Sequence, residues 1–295
     1  MANETAKFKL NVVPGDYGLV SLDPECIQSI LYTRMAKVPC DIRLSSSYRV
    51  CALFSTPSLV DGNETIRSHQ DIAQHLRMKN YNVDFGLTRN QCSRTLAISS
   101  MVNEKIKPLL EFIMWIDKRN SEELIIPWHM KALCIPFNYF YTNQRKQSAE
   151  NLIESIFPME ENPEVIKDYL TKAAIDGFSS LSVVLGGNEY FFEKTPTSLD
   201  ILVYSYLAPF LKLPFLAVDI GNMVRNMWPS LEKFVKRIDA KYIPDIIDNP
   251  RNLVQIERNM DNGDDVSISA IIILSVSAVS LVMTFIIQKG FFRWR

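Results

Sequence analysis

Five cysteines and three histidines are the side chains here best suited to hold a metal or supply a nucleophile. Cys26, Cys40, Cys51, Cys92 and Cys134 are odd in number, and no two have CxxC spacing. Such a set reads as reduced thiols of a cytosolic protein, packed as small apolar groups. His69, His75 and His129 lack ligand spacing with any cysteine, so no zinc site is expected. GxSxG, a glycine-rich phosphate loop and HExxH are all missing, and no local signature supports a Ser–His or Cys–His pair. No metal, cofactor or catalytic residue is therefore expected. Charge excludes another class. All 33 acidic residues and 29 of the 32 basic ones precede residue 266, which leaves −4 on residues 1–265 and +3 on the rest. There is no basic patch with interleaved aromatics, and nucleic acid is not an expected partner.

With chemistry so sparse, the elements carry the reading. Residues 8–13 (FKLNVV) form a short β-prone run. Asp23-Pro24-Glu25 is a helix start: Asp as cap, Pro in the first turn, Glu by the positive end. Ile27, Ile30, Leu31 and Met35 continue it at helical spacing. A second strand is expected over 41–44. SLV and ETI then flank Asp61-Gly62, a hairpin signal. Ser68 and Asp71 cap a helix through Ile72 and Leu76. The order β-α-β-β-β-α predicts an α/β layer.

From about residue 84 the strand signals vanish. Helices are expected over 88–117, 148–157, 163–185, 198–211, 214–227 and 230–240, with Pro108 kinking or dividing the first. The helix at 198 is the most apolar. Leu199, Ile201, Leu202, Val203, Tyr206 and Leu207 leave it no polar face, which predicts a central position. Thr197 and Asp200 are spaced as a reciprocal cap for its first turn.

The last organising stretch is Val266–Ile287, which has no charge, no Gly and no Pro. Twenty-two residues of helix span roughly 33 Å, enough for a bilayer core of about 30 Å. Val266, Ile271, Val276, Leu281 and Ile287 mark its length. Asp261, Asp264 and Asp265 precede it; Lys289, Arg293 and Arg295 follow it, with Phe291, Phe292 and Trp294 suited to an interface. The N-terminus carries neither a signal-peptide run nor an Arg-rich presequence. The positive-inside rule would hold the basic tail in the cytoplasm, whereas a tail anchor inserted after synthesis leaves the large domain there instead. The span is only moderately hydrophobic and ends in a basic tail, which favours the mitochondrial outer membrane over the endoplasmic reticulum.

An α/β part followed by an all-helical one resembles the glutathione transferase fold. TPSLVDG is similar to the segment with the cis-proline, which would be Pro57. TSLD at 197–200 is similar to the capping box of that fold's central helix, and WPSLEKFVKRI at 228–238 resembles its PxLxxYxxRI helix. Within the superfamily the match is closer to the metaxins. It rests on SLDPECIQSILYTRMAKVP (21–39), FIMWIDKRN (112–120), IPWHM (126–130) and PTSLDILVYSYLAPFLKLP (196–214). The resemblance implies an α+β fold with a thioredoxin-like N-terminal domain (1–80) and a helical domain (84–243). A polar linker (244–265), a transmembrane helix (266–287) and a basic tail (288–295) would follow. It implies a non-catalytic subunit on the cytosolic face of the outer mitochondrial membrane, serving protein import and β-barrel sorting. The implied partners are a second, unanchored metaxin-type subunit, a β-barrel assembly channel, the lipid bilayer and, in an adaptor role, motor adaptors. The rival is a membrane-anchored transferase. Tyr17 or Ser21 would then stabilise a thiolate near the first helix, although Arg67-Ser68 puts a cation where an acidic or amide residue should meet the ligand's amino group.

Overall fold

The computed structural model describes residues 8–44, 56–133, 135–160, 162–216 and 219–244. Phe8, Leu10 and Val12 of β1 (Phe8–Val12) are each fully buried, and Asn11 is buried beside them. β1 is an inner strand with both edges paired; Phe8, Leu10 and Val12 turn one face to the core, while Lys9 on the other face is exposed. β2 (Cys40–Leu44) runs parallel to it, with Phe8 opposite Cys40. On the other side β3 (Ser58–Asp61) runs antiparallel, with Lys9 opposite Val60, and β4 (Glu64–Arg67) completes the order β2-β1-β3-β4.

A parallel β1–β2 pair demands a crossover, and α1 (Pro24–Met35) supplies it. The Asp23 side chain accepts from the Glu25 amide at 2.9 Å, and Pro24 sits where a missing N–H costs nothing. The β3–β4 connection is Gly62-Asn63, one residue later than the Asp-Gly pair that signals it. Gly62 takes φ +61°, and Asp61 pairs with Glu64 across the turn. α2 (His69–Met78) follows, capped by Ser68.

Everything described beyond residue 88 is helical or irregular, apart from a single Tyr190–Glu193 bridge. α3 (Arg89–Met101) leads into a continuous helical path over 89–116. It has π-helical turns at Val102–Ile106 and Phe112–Ile116 around α4 (Lys107–Glu111). Pro108 lies two residues past the first π turn. Pro127, in α5 (Ile126–Ala132), lies two residues past another at Ser121–Ile125. A proline lacks the N–H donor and crowds the carbonyl four residues back; a widened turn just ahead of it relieves both. So Pro108 divides the path by a change of helix type without ending it.

α6 (Phe137–Ile156) starts eleven residues earlier than expected. Its first turns are rich in aromatics and Asn, which the helical pattern does not favour. Tertiary contacts hold them: Asn138, Tyr141 and Thr142 are buried, and Asn138 Nδ2 donates to the Met130 carbonyl at 3.1 Å. α7 (Pro163–Leu185) opens on an Asn162 cap. α8 (Ser198–Lys212) is buried along nearly its whole length; Leu202, expected in the core, is only half-buried. α9 (Ile220–Met227) starts late, at an Asp219 cap, where a helix from 214 was expected; α10 (Pro229–Tyr242) is the last described element.

The sheet-bearing and helical parts share one core. Gln28 donates to Ser205 Oγ at 2.9 Å, Tyr141 to Asp23 at 2.7 Å, and the Ser198 amide to Asp84 at 2.8 Å. Among the described residues no helix is long and apolar enough to cross a membrane. The stretch Val266–Ile287, the basic tail Lys289, Arg293 and Arg295, and Cys51 and Cys134 lie outside the described residues.

Candidate functional site

A cleft of about 650 Å³ opens between the sheet-bearing part and the helices. One wall is the first turn of α1, with Glu25 and Gln28, together with Ser68, His69 and Gln70 where α2 begins. The other wall is α3, which turns Cys92, Thr95, Leu96 and Ser99 toward the space. Leu202 and Tyr206 of α8 lie at the bottom. α3 has no fully buried residue along its thirteen positions. Its cleft face is uncharged and short of apolar bulk, which suits hydrogen bonding more than greasy packing.

Two helix N-termini lie by this cleft, and each is capped by the chain's own side chains. At α1 the Asp23 side chain takes the Glu25 amide and the Tyr141 hydroxyl. At α2 the Asp71 carboxylate accepts from Ser68 Oγ at 2.9 Å, while Ser68 Oγ accepts the Asp71 amide at 3.3 Å. Glu25 and His69, from the two helix starts, both line the cleft. Burial, then the charge of Asp23, raises the Glu25 carboxyl above its ordinary range. The same two forces push the buried Cys26 thiol well up. A thiolate at this place would meet the same repulsion.

The expected chemical residues are elsewhere or otherwise engaged. Tyr17 does not line the cleft; it sits at φ +54°, and burial and Asp16 raise its hydroxyl, the direction opposite to activation. Ser21 is fully buried, and its Oγ accepts the Asp23 amide at 3.1 Å. Arg67 is exposed at the end of β4. Pro57 follows a cis peptide bond and leads into β3. Thr197 and Asp200 are together: Asp200 accepts the Thr197 amide at 2.8 Å and hydroxyl at 2.9 Å, and also the Phe191 amide at 2.9 Å. Burial pushes the Asp200 carboxyl up to about 6 in spite of those donors. Among the described residues no group of three or more His, Cys, Asp or Glu is placed to hold a metal.

Sequence reasoning missed buried Tyr141 and half-buried Arg145, the polar centre of the helical part. Arg145 lies 3.1 Å from Glu111, and Glu111 and Asp23 keep it charged although burial works against that. His129 stacks on Tyr141, with ring centroids 5.4 Å apart, and donates from Nδ1 to the Ile125 carbonyl at 2.7 Å. No local signal could reveal a link such as Tyr141–Asp23, which joins residues 118 apart.

The chain matches the family of outer mitochondrial membrane transport complex proteins over residues 26–146. It matches the glutathione S-transferase C-terminal domain over residues 174–238. Metaxin-1 of Macaca fascicularis is 32% identical over 214 residues, which cover 71% of this chain and 68% of that protein. The chain belongs to the metaxin family. A more distant metaxin relative, the metaxin-1 homolog of Caenorhabditis briggsae, is 27% identical over 80% of this chain and 74% of its own length. The metaxin fold seen here is also that of solved transferases. A glutathione S-transferase of Ceriporiopsis subvermispora in complex with glutathione aligns at TM-score 0.53 and 13% identity, over 80% of this chain and 97% of that one. A glutathione transferase family member of Pseudomonas fluorescens, with two glutathiones bound, gives 0.53 at 11%, over 84% and 93%. At such identities the likeness is one of fold alone.

Proposed function

We propose that this metaxin is a non-catalytic subunit of an outer mitochondrial membrane transport complex, serving protein import and β-barrel sorting and assembly. Val266–Ile287 anchors it by its C-terminus, Lys289, Arg293 and Arg295 help address it, and its folded domain stands in the cytosol. Its partners are a second, unanchored metaxin-type subunit, a β-barrel assembly channel and the bilayer.

The observation that carries the non-catalytic reading is Glu25, a carboxylate lining the cleft at the first turn of α1, whose N-terminus is already capped by Asp23. Negative charge there opposes a thiolate at the same helix end. Family membership supports the transport role. The test is capture of the full chain from detergent-solubilised mitochondria, with partners identified by mass spectrometry. A β-barrel assembly channel and a second metaxin are expected. Glutathione conjugation by the purified chain, abolished by Tyr17→Phe or Ser21→Ala, would overturn the reading in favour of an anchored transferase.

A further inference from the structure

A second surface has a composition unlike the rest of the exterior. Ile135, Tyr139 and Phe140 are 68%, 65% and 66% exposed where α6 begins, and Met130 is exposed at the end of α5. They cluster at the junction of α5 and α6. Asn138 ties the start of α6 to the Met130 carbonyl, Ile135 precedes α6 by two residues, and the Tyr139 and Phe140 rings meet edge-on with centroids 6.2 Å apart. Half-buried Lys146 lies seven residues past Tyr139 on the same side of α6, and exposed Lys131 adjoins Met130.

The charge around this face is one-sided. Between Glu123 and Glu150 the sequence contains no Asp or Glu, while Lys131, Arg145 and Lys146 all fall in that interval. Asp16 approaches it from the sheet-bearing part, but its two oxygens are taken by the Tyr17 amide at 2.7 Å and Trp128 Nε1 at 2.8 Å. A contrasting patch lies elsewhere. Ile156, Met159, Val165 and Tyr169 are also exposed, with Phe157 edge-on to Tyr169, yet exposed Glu154, Glu160, Glu164 and Asp168 are interspersed among them. Apolar groups studded with carboxylates are repelled by an anionic bilayer. Aromatic groups with lysines, and with carboxylates only at the margins (Asp16, Glu123 and Glu150), are what an anionic lipid interface attracts.

We infer that the face carrying Met130, Ile135, Tyr139 and Phe140 lies against the lipid headgroup region of an anionic membrane, with Lys131 and Lys146 meeting lipid phosphates. The inference rests on the anchored reading above, because confinement to a bilayer lets a shallow, weak contact be occupied. Tyr and Phe rings would enter the interface, and the docked face would fix how the cytosolic domain is turned toward its partners.

The test uses the full chain reconstituted in vesicles of phosphatidylcholine and phosphatidylserine. A dansyl amino acid replaces Tyr139 in one preparation and Tyr169 in another; both sites are exposed, so folding is retained, and circular dichroism checks it. Blue-shifted dansyl emission and quenching by doxyl-labelled lipid are expected at position 139 and not at 169. The ratio of docked to undocked domain should fall about fivefold for Lys131→Ser or Lys146→Ser, as loss of one basic charge near an anionic surface implies, and again when phosphatidylserine is left out. Equal quenching at both positions overturns the inference. So does a blue shift at 139 that needs an added protein and brings no lipid quenching, because the occupant is then a protein. A chain that does not float with the vesicles overturns both the anchored reading and this one; a chain that floats without quenching at 139 overturns only the latter.

Discussion

Two buried titratable groups pull the acid stability of the fold in opposite directions. His129 is fully buried, and desolvation lowers it to about 4. It stays neutral in the fold, whereas the unfolded chain takes up its proton below about 6.5. The stability tied to neutral His129 is therefore complete above pH 6.5 and is lost as pH falls toward 4, roughly 3 kcal/mol in all. Asp200 is fully buried and raised to about 6. Its folded form binds a proton more tightly than the unfolded one. Its contribution is thus full below its unfolded value and fades as pH rises through about 6, again roughly 3 kcal/mol. Within the window from 4 to 6 the two nearly cancel. Asp200→Asn removes the opposing part, so urea midpoints measured from pH 7 to 4 should drop more steeply in that variant than in the wild type. Parallel curves would mean that Asp200 is not proton-linked to folding. Neither group could be ranked from the sequence: the cap role of Asp200 shows in its spacing from Thr197, but its burial arises from α8 and the Phe191 segment meeting around it.

At the scale of the element, α8 offers graded tests. Thr197→Ala removes the hydroxyl that donates to Asp200 and should cost about 0.5–2 kcal/mol. Leu207→Ala, at a fully buried position, should cost about 2–5 kcal/mol. Leu202 is half-buried and lines the cleft, so Leu202→Ala should cost less than about 2 kcal/mol. Melting the three variants side by side checks the order. A Leu202 loss as large as that of Leu207 would show the cleft to be filled in solution. The elements legible in the sequence are those with a local signature. Asp23-Pro24, Asn162-Pro163 and Thr197–Asp200 announce α1, α7 and α8, and alternation with a glycine turn announces the β3–β4 hairpin. Those that were not legible depend on distant partners. The Ser121–Ile125 turn and α5 fall outside the expected helices because Pro127 interrupts the pattern and the π turn that accommodates it leaves no periodic trace. The first three turns of α6 are helical because Asn138, Tyr141 and Thr142 are buried against other elements, which no window of sequence reveals. The cleft was half legible: Arg67-Ser68 departs from the transferase pattern in the sequence itself, whereas the placing of Glu25 beside the start of α2 needs the fold.

For the whole molecule the issue is what the proposed membrane span does and what the folded part does. Val276→Arg places a charge at the middle of the uncharged run, at a cost of about 2.5–3.5 kcal/mol on insertion scales. Carbonate extraction should then release a chain that the wild type leaves in the pellet; retention would remove Val266–Ile287 as the anchor. Recognition is a separate matter. The span has no GxxxG face for tight helix pairing, although its serines could support a weaker contact. The folded part, by contrast, has its own core running from β1 to α10 and, among the described residues, exposed apolar clusters at Tyr139 and at Tyr169, the second much richer in carboxylates. A domain with its own surfaces needs a membrane only to raise the local concentration of its partners. The fragment 1–260 should therefore stay folded, remain monodisperse and capture the unanchored metaxin-type partner in a titration in solution. The acidic patch around Tyr169 is the surface available for that contact if the aromatic one faces lipid, so Tyr169→Ala should weaken capture while Tyr139→Ala leaves it unchanged. A folded 1–260 fragment that captures nothing, beside a full chain that does, would move recognition from the domain to the span.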